Sequence, residues 1–93
     1  MQLTLDDRLR VNENVVFRDL DGEAVLLHVE RGTYFGLDPL GTRVWQSIVE
    51  HGSARNAIGP LLEEYEVPSE TLENDVRRLL GELTAHDLIR PLS

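Results

Sequence analysis

The chain has 93 residues, nine basic and 17 acidic, for a net charge of -8, and its side chains are 41% hydrophobic and 28% charged. Those values fit one domain spanning residues 1–93 with a single modest core, and they argue against wholesale disorder. There is no Cys and every cation is Arg, which excludes disulfides, thiolate metal sites, Cys nucleophiles and Schiff-base lysines, while the acidity opposes binding to a phosphate backbone.

Met1 to Arg10 carries Asp6, Asp7, Arg8 and Arg10 with no apolar segment between them, so no secretory signal is legible there. The stretch through Asn14 reads as a frayed lead-in with a turn near Asp6-Asp7. Val15 to Leu20 is rich in β-branched and aromatic residues, and Asp21-Gly22 after it is a strong hairpin signal, because a type I′ turn needs positive φ at both central residues. Glu23 to Glu30 reads as the return strand, with Val25, Leu27 and Val29 on one face and Leu26 and His28 on the other. Arg31-Gly32 turns the chain again, and Thr33 to Leu37 is a third strand of an antiparallel meander. The longest apolar run, Ala24 to Leu27, is far shorter than the ~20 residues of a membrane span, so neither a membrane partner nor export is expected and the location reads as cytoplasmic.

At Asp38 the period changes from two to 3.6. Asp38 suits a helix cap and Pro39 the first helical position, and Leu40, Val44, Trp45 and Ile48 then recur on one face. Gly52 reads as a left-handed stop and Ser53 as the cap of a second helix, in which Pro60 predicts a kink or a late start. After Val67-Pro68, Ser69 reads as the cap of a third helix ending near His86, with Leu72, Val76, Leu79, Leu80 and Leu83 as its stripe. Leu88-Ile89-Arg90 reads as a short extended tail on the core. The fold class is therefore α+β, in the order βββααα.

Few residues have the pattern of a catalytic site. His28, His51 and His86 share no metal-ligand spacing; the latter two fall at helix C-termini, and His28 reads as a surface or half-buried strand residue. The acids Glu63, Glu64, Glu66, Glu70, Glu73 and Asp75 read as a solvated helical face. Three helices beside a small sheet raise a winged-helix DNA-binding reading, but Arg77 and Arg78 stand among Glu70, Glu73, Asp75 and Glu82, so no nucleic-acid partner is expected. The unusual feature is the last strand. As one edge of the meander it presents unpaired backbone groups, yet Thr33 to Leu37 contains neither Pro nor charge, the usual guards of an open edge. Either a helix covers it, or an extended peptide adds to it.

The run Arg31-Gly32-Thr33-Tyr34-Phe35-Gly36-Leu37-Asp38-Pro39-Leu40-Gly41-Thr42-Arg43-Val44-Trp45 resembles the PqqD-like family, with its Gly-aromatic strand, its L-N/D-x-x-G step and an aromatic in the first helix. Asp75-Val76, Leu79-Leu80, Leu83 and Leu88-Ile89 resemble the family's C-terminal pattern, so the likeness covers roughly residues 11–90. Gly36 and Asp87 depart from it, standing where many relatives carry a polar residue and a Gly.

The resemblance implies a winged-helix-like recognition element for ribosomally made precursor peptides, with no catalysis and no cofactor or metal of its own. The leader of the precursor would add to the third strand and lie against the third helix. A free-standing chain looks most like the leader-binding proteins of lasso-peptide pathways, partnered by a leader peptidase (a cysteine protease) and a cyclase; the alternative is a peptide chaperone in pyrroloquinoline quinone biosynthesis. On this reading the strand side of the site is Val29, Glu30, Arg31, Thr33, Tyr34, Phe35, Gly36 and Leu37. The helix side is Asp75, Val76, Arg78, Leu79, Glu82 and Leu83, and the opposite flank, Glu73, Arg77 and Leu80, is the alternative, which only the position of the sheet decides. The parity that decides whether Tyr34 and Gly36, or Thr33 and Phe35, offer their N–H groups to the open edge is undetermined at this level.

Overall fold

The computed structural model describes residues 4–21 and 23–92. Strands β1 (Leu9–Val11), β2 (Val15–Leu20), β3 (Glu23–His28) and β4 (Thr33–Leu37) precede helices α1 (Pro39–His51), α2 (Arg55–Glu64) and α3 (Ser69–Ala85), and β5 (Ile89–Pro91) closes the chain. The strands β2-β3-β4 form an antiparallel meander, and β1 pairs with β5 in a separate two-stranded ribbon. The expected α+β order is therefore present, with the ribbon added to it.

Local chemistry explains the elements. Asp21 adopts φ +56 between the paired residues Leu20 and Glu23, as the hairpin requires, while Gly22 lies outside the described residues. Gly32 takes φ +66 in the second turn. Asp38 caps α1 by accepting the Gly41 N–H at 2.7 Å, Pro39 opens the helix, and Gly52 ends it at φ +74. A Cβ on Gly41 would lie 3.1 Å from Leu37 Cδ2 and 3.2 Å from the capping carboxylate, so the glycine of the L-D-x-x-G step lets strand and helix meet closely.

The N-terminal stretch is no frayed lead-in. Leu5 and Leu9 are buried, the Leu9 N–H donates to Gly52 O at 2.7 Å, and Val11 pairs with Ile89. Arg55 forks onto Asp6 at 2.8 and 3.0 Å. Two leucines four residues apart in a polar stretch are a faint signal, and their partners are dozens of residues away. Met1 to Leu3 lie outside the described residues. The two serine caps are also corrected: α2 begins after Ala54, with the Arg55 N–H bonded to Leu5 O, and Ser69 is the first residue of α3, after Pro68. Neither helix start uses a side-chain cap. Helix α2 starts at Arg55 and runs through Pro60, so the late start is not seen.

The core lies between the inner face of the meander and the helices. It contains Ala24, Leu26 and Leu37 from the sheet, Val44, Trp45 and Ile48 from α1, and Leu72, Val76, Leu80 and Leu83 from α3. His28, expected at the surface or half-buried, is instead 2% exposed and bound on both ring nitrogens. A backbone N–H can only donate, so Nδ1 accepts from Arg31 N–H and the proton sits on Nε2, which donates to Asp87 Oδ2 at 3.2 Å. Asn12, also buried, donates to the same carboxylate at 3.1 Å and to the Asp87 carbonyl at 2.8 Å. Asp87 itself has φ +58 and sits just past α3, where the Asp87 and Leu88 N–H groups return to Thr84 O and Leu83 O. That is a Schellman stop, whose left-handed residue is most often glycine. Among the described residues, no helix is long and apolar enough to cross a membrane.

Candidate peptide-binding site

Register decides which backbone groups of β4 are free. A two-residue hairpin is flanked by a pair that exchanges both hydrogen bonds, here Leu20 and Glu23. Counting back, Arg18–Val25 and Val16–Leu27 have the same character, and the Val29 N–H donating to Asn14 O at 2.9 Å continues the series. Val25 and Leu27 therefore bond toward β2, and Ala24, Leu26 and His28 bond toward their β4 partners Leu37, Phe35 and Thr33. It follows that Tyr34 and Gly36 turn their N–H and C=O groups to the open side of β4. The parity left undetermined by the sequence is thereby fixed.

Side chains alternate with this pattern. Thr33, Phe35 and Leu37 stand on the inner face and Tyr34 and Gly36 on the outer. Leu37 is buried, Phe35 is half-buried, and Tyr34 is 73% exposed. The Phe35 ring lies 5.2 Å from that of His86, tilted by 60°, and this contact ties β4 to the C-terminal end of α3.

Just past the end of β4, a cleft of about 230 Å³ is lined by Asp38 and Leu40 from the start of α1 and by Asp75, Arg78, Leu79 and Glu82 from α3, with no β4 residue in its lining. Those four helix residues are the flank favoured from the sequence. The opposite flank faces α2: Glu73 lies 3.6 Å from Arg55 and 3.7 Å from Arg77, and Leu80 is buried. Arg78 pairs with Asp75 at 3.2 Å, so both arginines of α3 stand beside carboxylates. Leu40 and Leu79 give the cleft an apolar floor under a charged rim. The volume is below the ~300–1,000 Å³ of small-molecule pockets.

Several sequence-predicted residues fall elsewhere. Val29, Glu30 and Arg31 belong to the turn after β3, which ends at His28 rather than Glu30. The Asn14 amide donates to Glu30 Oε1 at 2.6 Å, and with the Val29 bond to Asn14 this directs both residues toward β2, away from the open edge. Val76 and Leu83 are 0% exposed and form core beneath the cleft, with no surface for a ligand. Asp38 and Leu40 were missed as wall residues, and His86 as the partner of the Phe35 ring. Asp38 was visible only as a cap and Leu40 only as a member of the α1 stripe, and nothing local to either says that α3 passes beside it. Among the acids read as a solvated face, Glu64 accepts two bonds from Arg43, at 2.7 and 2.8 Å.

The family model for "Coenzyme PQQ synthesis protein D (PqqD)" matches residues 23–89, from the first residue of β3 to the first residue of β5. Among solved structures, "TbiB1 in Complex with the TbiA(beta) Leader Peptide" is 36% identical with a TM-score of 0.78, over 90% of this chain and 98% of that one. "Lasso peptide synthetase B1 complexed with the leader peptide" is 24% identical with a TM-score of 0.81, over 90% of this chain and 99% of that one, a likeness of fold. Comparison with curated proteins finds no match. Strands β3 and β4, the L-D-x-x-G step and α3 all lie within the matched span, and the chain belongs to the PqqD family.

Proposed function

We propose that this protein is a non-catalytic recognition module that takes the leader of a ribosomally made precursor peptide as a fourth strand on β4. The observation that carries the reading is the open edge itself. Two backbone donors and two acceptors, on Tyr34 and Gly36, face outward from a strand with no Pro or charged side chain, and the leucine-floored cleft begins at Asp38, just past the end of that strand. Backbone pairing supplies sequence-tolerant affinity, and ligand side chains that alternate into the cleft supply selectivity. The relative 36% identical over nearly its whole length was solved with a leader peptide, which supports the same use here. The cleft residues form no nucleophile–base pair, so the protein's part is to hold the peptide for an enzyme that cuts or modifies it. In a lasso pathway that enzyme is a leader peptidase, followed by a cyclase.

The PQQ description of the family model favours a second reading, a peptide chaperone for quinone biosynthesis. Calorimetric titration with a lasso leader and with a quinone-pathway precursor separates the two. The lasso reading expects binding at roughly micromolar Kd or tighter, about -8 kcal/mol or better, for the former alone, with mass spectrometry showing the peptide intact. Binding of the quinone precursor alone reverses the assignment, and cleavage or modification by the pure protein overturns the non-catalytic reading.

A further inference from the structure

The outer face of the β1–β5 ribbon is a cationic patch on an acidic chain. Arg10 lies directly opposite Arg90, and the Leu92 N–H donating to Arg8 O at 2.8 Å places Leu92 opposite Arg8. By the two-residue period these four side chains share one face, while Leu9, Val11 and Ile89 turn to the core. Three of the nine arginines therefore surround an exposed leucine, and no carboxylate shares their face, although the net charge is -8. Like charges directly opposite across two strands weaken a ribbon. The chain answers these only in part. Arg90 bonds Asp87 at 3.2 and 3.3 Å, whereas the Arg8 and Arg10 side chains have no ion pair or hydrogen bond among the described residues. Beside Arg10 and Arg90 lies a polar hollow of about 170 Å³, edged by Asn12 and Glu13.

The position of this face gives it a use. His28 pairs with Thr33 at the start of β4, its Nε2 donates to Asp87, and Asp87 accepts from Arg90, so a single carboxylate links the end of the sheet to the patch. A peptide added to β4 has one end past Leu37, at the cleft with α3, and the other at Thr33. A protein seated on the ribbon stands at the Thr33 end. We propose that Arg8, Arg10, Arg90 and Leu92 dock an acidic surface of the enzyme that acts on the bound peptide, in the lasso reading the leader peptidase. Arginines around an apolar centre suit a protein interface, and their charge speeds and orients the encounter with an acidic partner. A partner carboxylate set between Arg10 and Arg90 also removes the repulsion between them. A second copy offering its acidic Glu63, Glu64 and Glu66 would bring unlike surfaces together, which builds rings or chains rather than a closed pair. The proposal rests on peptide binding at β4 and adds to it the place where the enzyme sits.

The test combines the pure protein, a precursor peptide and the leader peptidase of the same pathway, and follows cleavage by mass spectrometry. Arg8→Glu and Arg10→Glu together should lower kcat/KM for the peptide-loaded protein about tenfold or more, with the leader Kd changed less than about twofold. Arg10→Glu turns a like-charged cross-strand pair into an opposite one, so the melting temperature should hold or rise and lost folding does not explain the effect. Arg18→Glu, an equal charge reversal at an exposed position of β2, should leave cleavage unchanged. Because the chain contains no Lys, Arg10→Lys supplies its only side-chain amine. A carbodiimide should join that amine to an Asp or Glu of the peptidase, and Arg18→Lys should give no such adduct. Cleavage unaffected by the ribbon reversals, or an adduct at Arg18→Lys equal to that at Arg10→Lys, overturns the inference alone. So does self-association of the protein by itself, in light scattering, that Arg10→Glu abolishes, since the patch then serves a second copy. A leader that fails to bind, or cleavage as fast without this protein as with it, overturns the proposed function and this inference with it.

Discussion

At the scale of single residues, Asp87 shows how a departure from the family pattern is accommodated. Its left-handed backbone would suit glycine better, but its carboxylate receives His28 and Asn12 from the interior and Arg90 from β5. Asp87→Gly relieves the backbone and strands the ring N–H of a buried histidine, which costs more than the relief returns. Thermal melts should place Asp87→Gly below wild type and Asp87→Asn between them, since Asn tolerates the same φ and keeps an acceptor oxygen. A Gly variant more stable than wild type would contradict this account of the network. The same carboxylate, and that of Asp6, are held below the usual carboxylate range, chiefly by hydrogen bonds from Arg90 and Arg55 respectively. A depressed folded-state value gives stability that is complete above the unfolded value of about 3.9 and is lost as pH falls through the folded one. Denaturation midpoints should therefore be insensitive to these two groups between about pH 5 and 7, and should fall below about pH 4. Asp6→Asn should flatten that acid limb, and an unchanged limb would show that the Arg55 pair contributes nothing.

At the scale of elements, legibility followed the range of the interactions. The Asp21 hairpin, the Asp38-Pro39 start and the Gly52 stop are local chemistry and are found where the sequence puts them. The start of α2 is set by the Leu5 carbonyl and the β1–β5 ribbon joins the two ends of the chain, and no local pattern encodes either. The candidate site divides in the same way. The unguarded edge of β4 is visible in the sequence and the helical period marks two flanks of α3, whereas which flank faces the cleft, and the wall supplied by Asp38 and Leu40, depend on tertiary placement. The proline test now has a direction. Tyr34→Pro and Gly36→Pro remove donors that face outward, so both should fold and lose peptide affinity. Phe35→Pro removes a donor to β3 and should melt earlier. On α3, Asp75→Arg or Glu82→Arg should leave the melting temperature nearly unchanged, because both residues are exposed, and should weaken a leader with a cation at the cleft. If every folded variant on strand and helix binds normally, the site lies elsewhere.

For the whole molecule, the two edges of a small meander must be held in place by a core with little to spare. Trp45 is 3% exposed on the inward face of α1, within the same core cluster as Leu26 of β3 and Val76 of α3. Trp45→Ala should cost about 3–5 kcal/mol out of a total of about 5–15. Urea denaturation would measure it, and a variant as stable as wild type that no longer binds peptide would make Trp45 a ligand contact instead. The central claim, that β4 receives the peptide through the backbone of Tyr34 and Gly36, is most directly read by amide hydrogen exchange, residue by residue, with and without a bound leader peptide. In the free protein the Phe35 and Leu37 amides should be protected by β3 while those of Tyr34 and Gly36 exchange freely, and binding should slow the latter pair strongly. Binding that leaves the Tyr34 and Gly36 amides exchanging as fast as before would contradict strand addition at this edge.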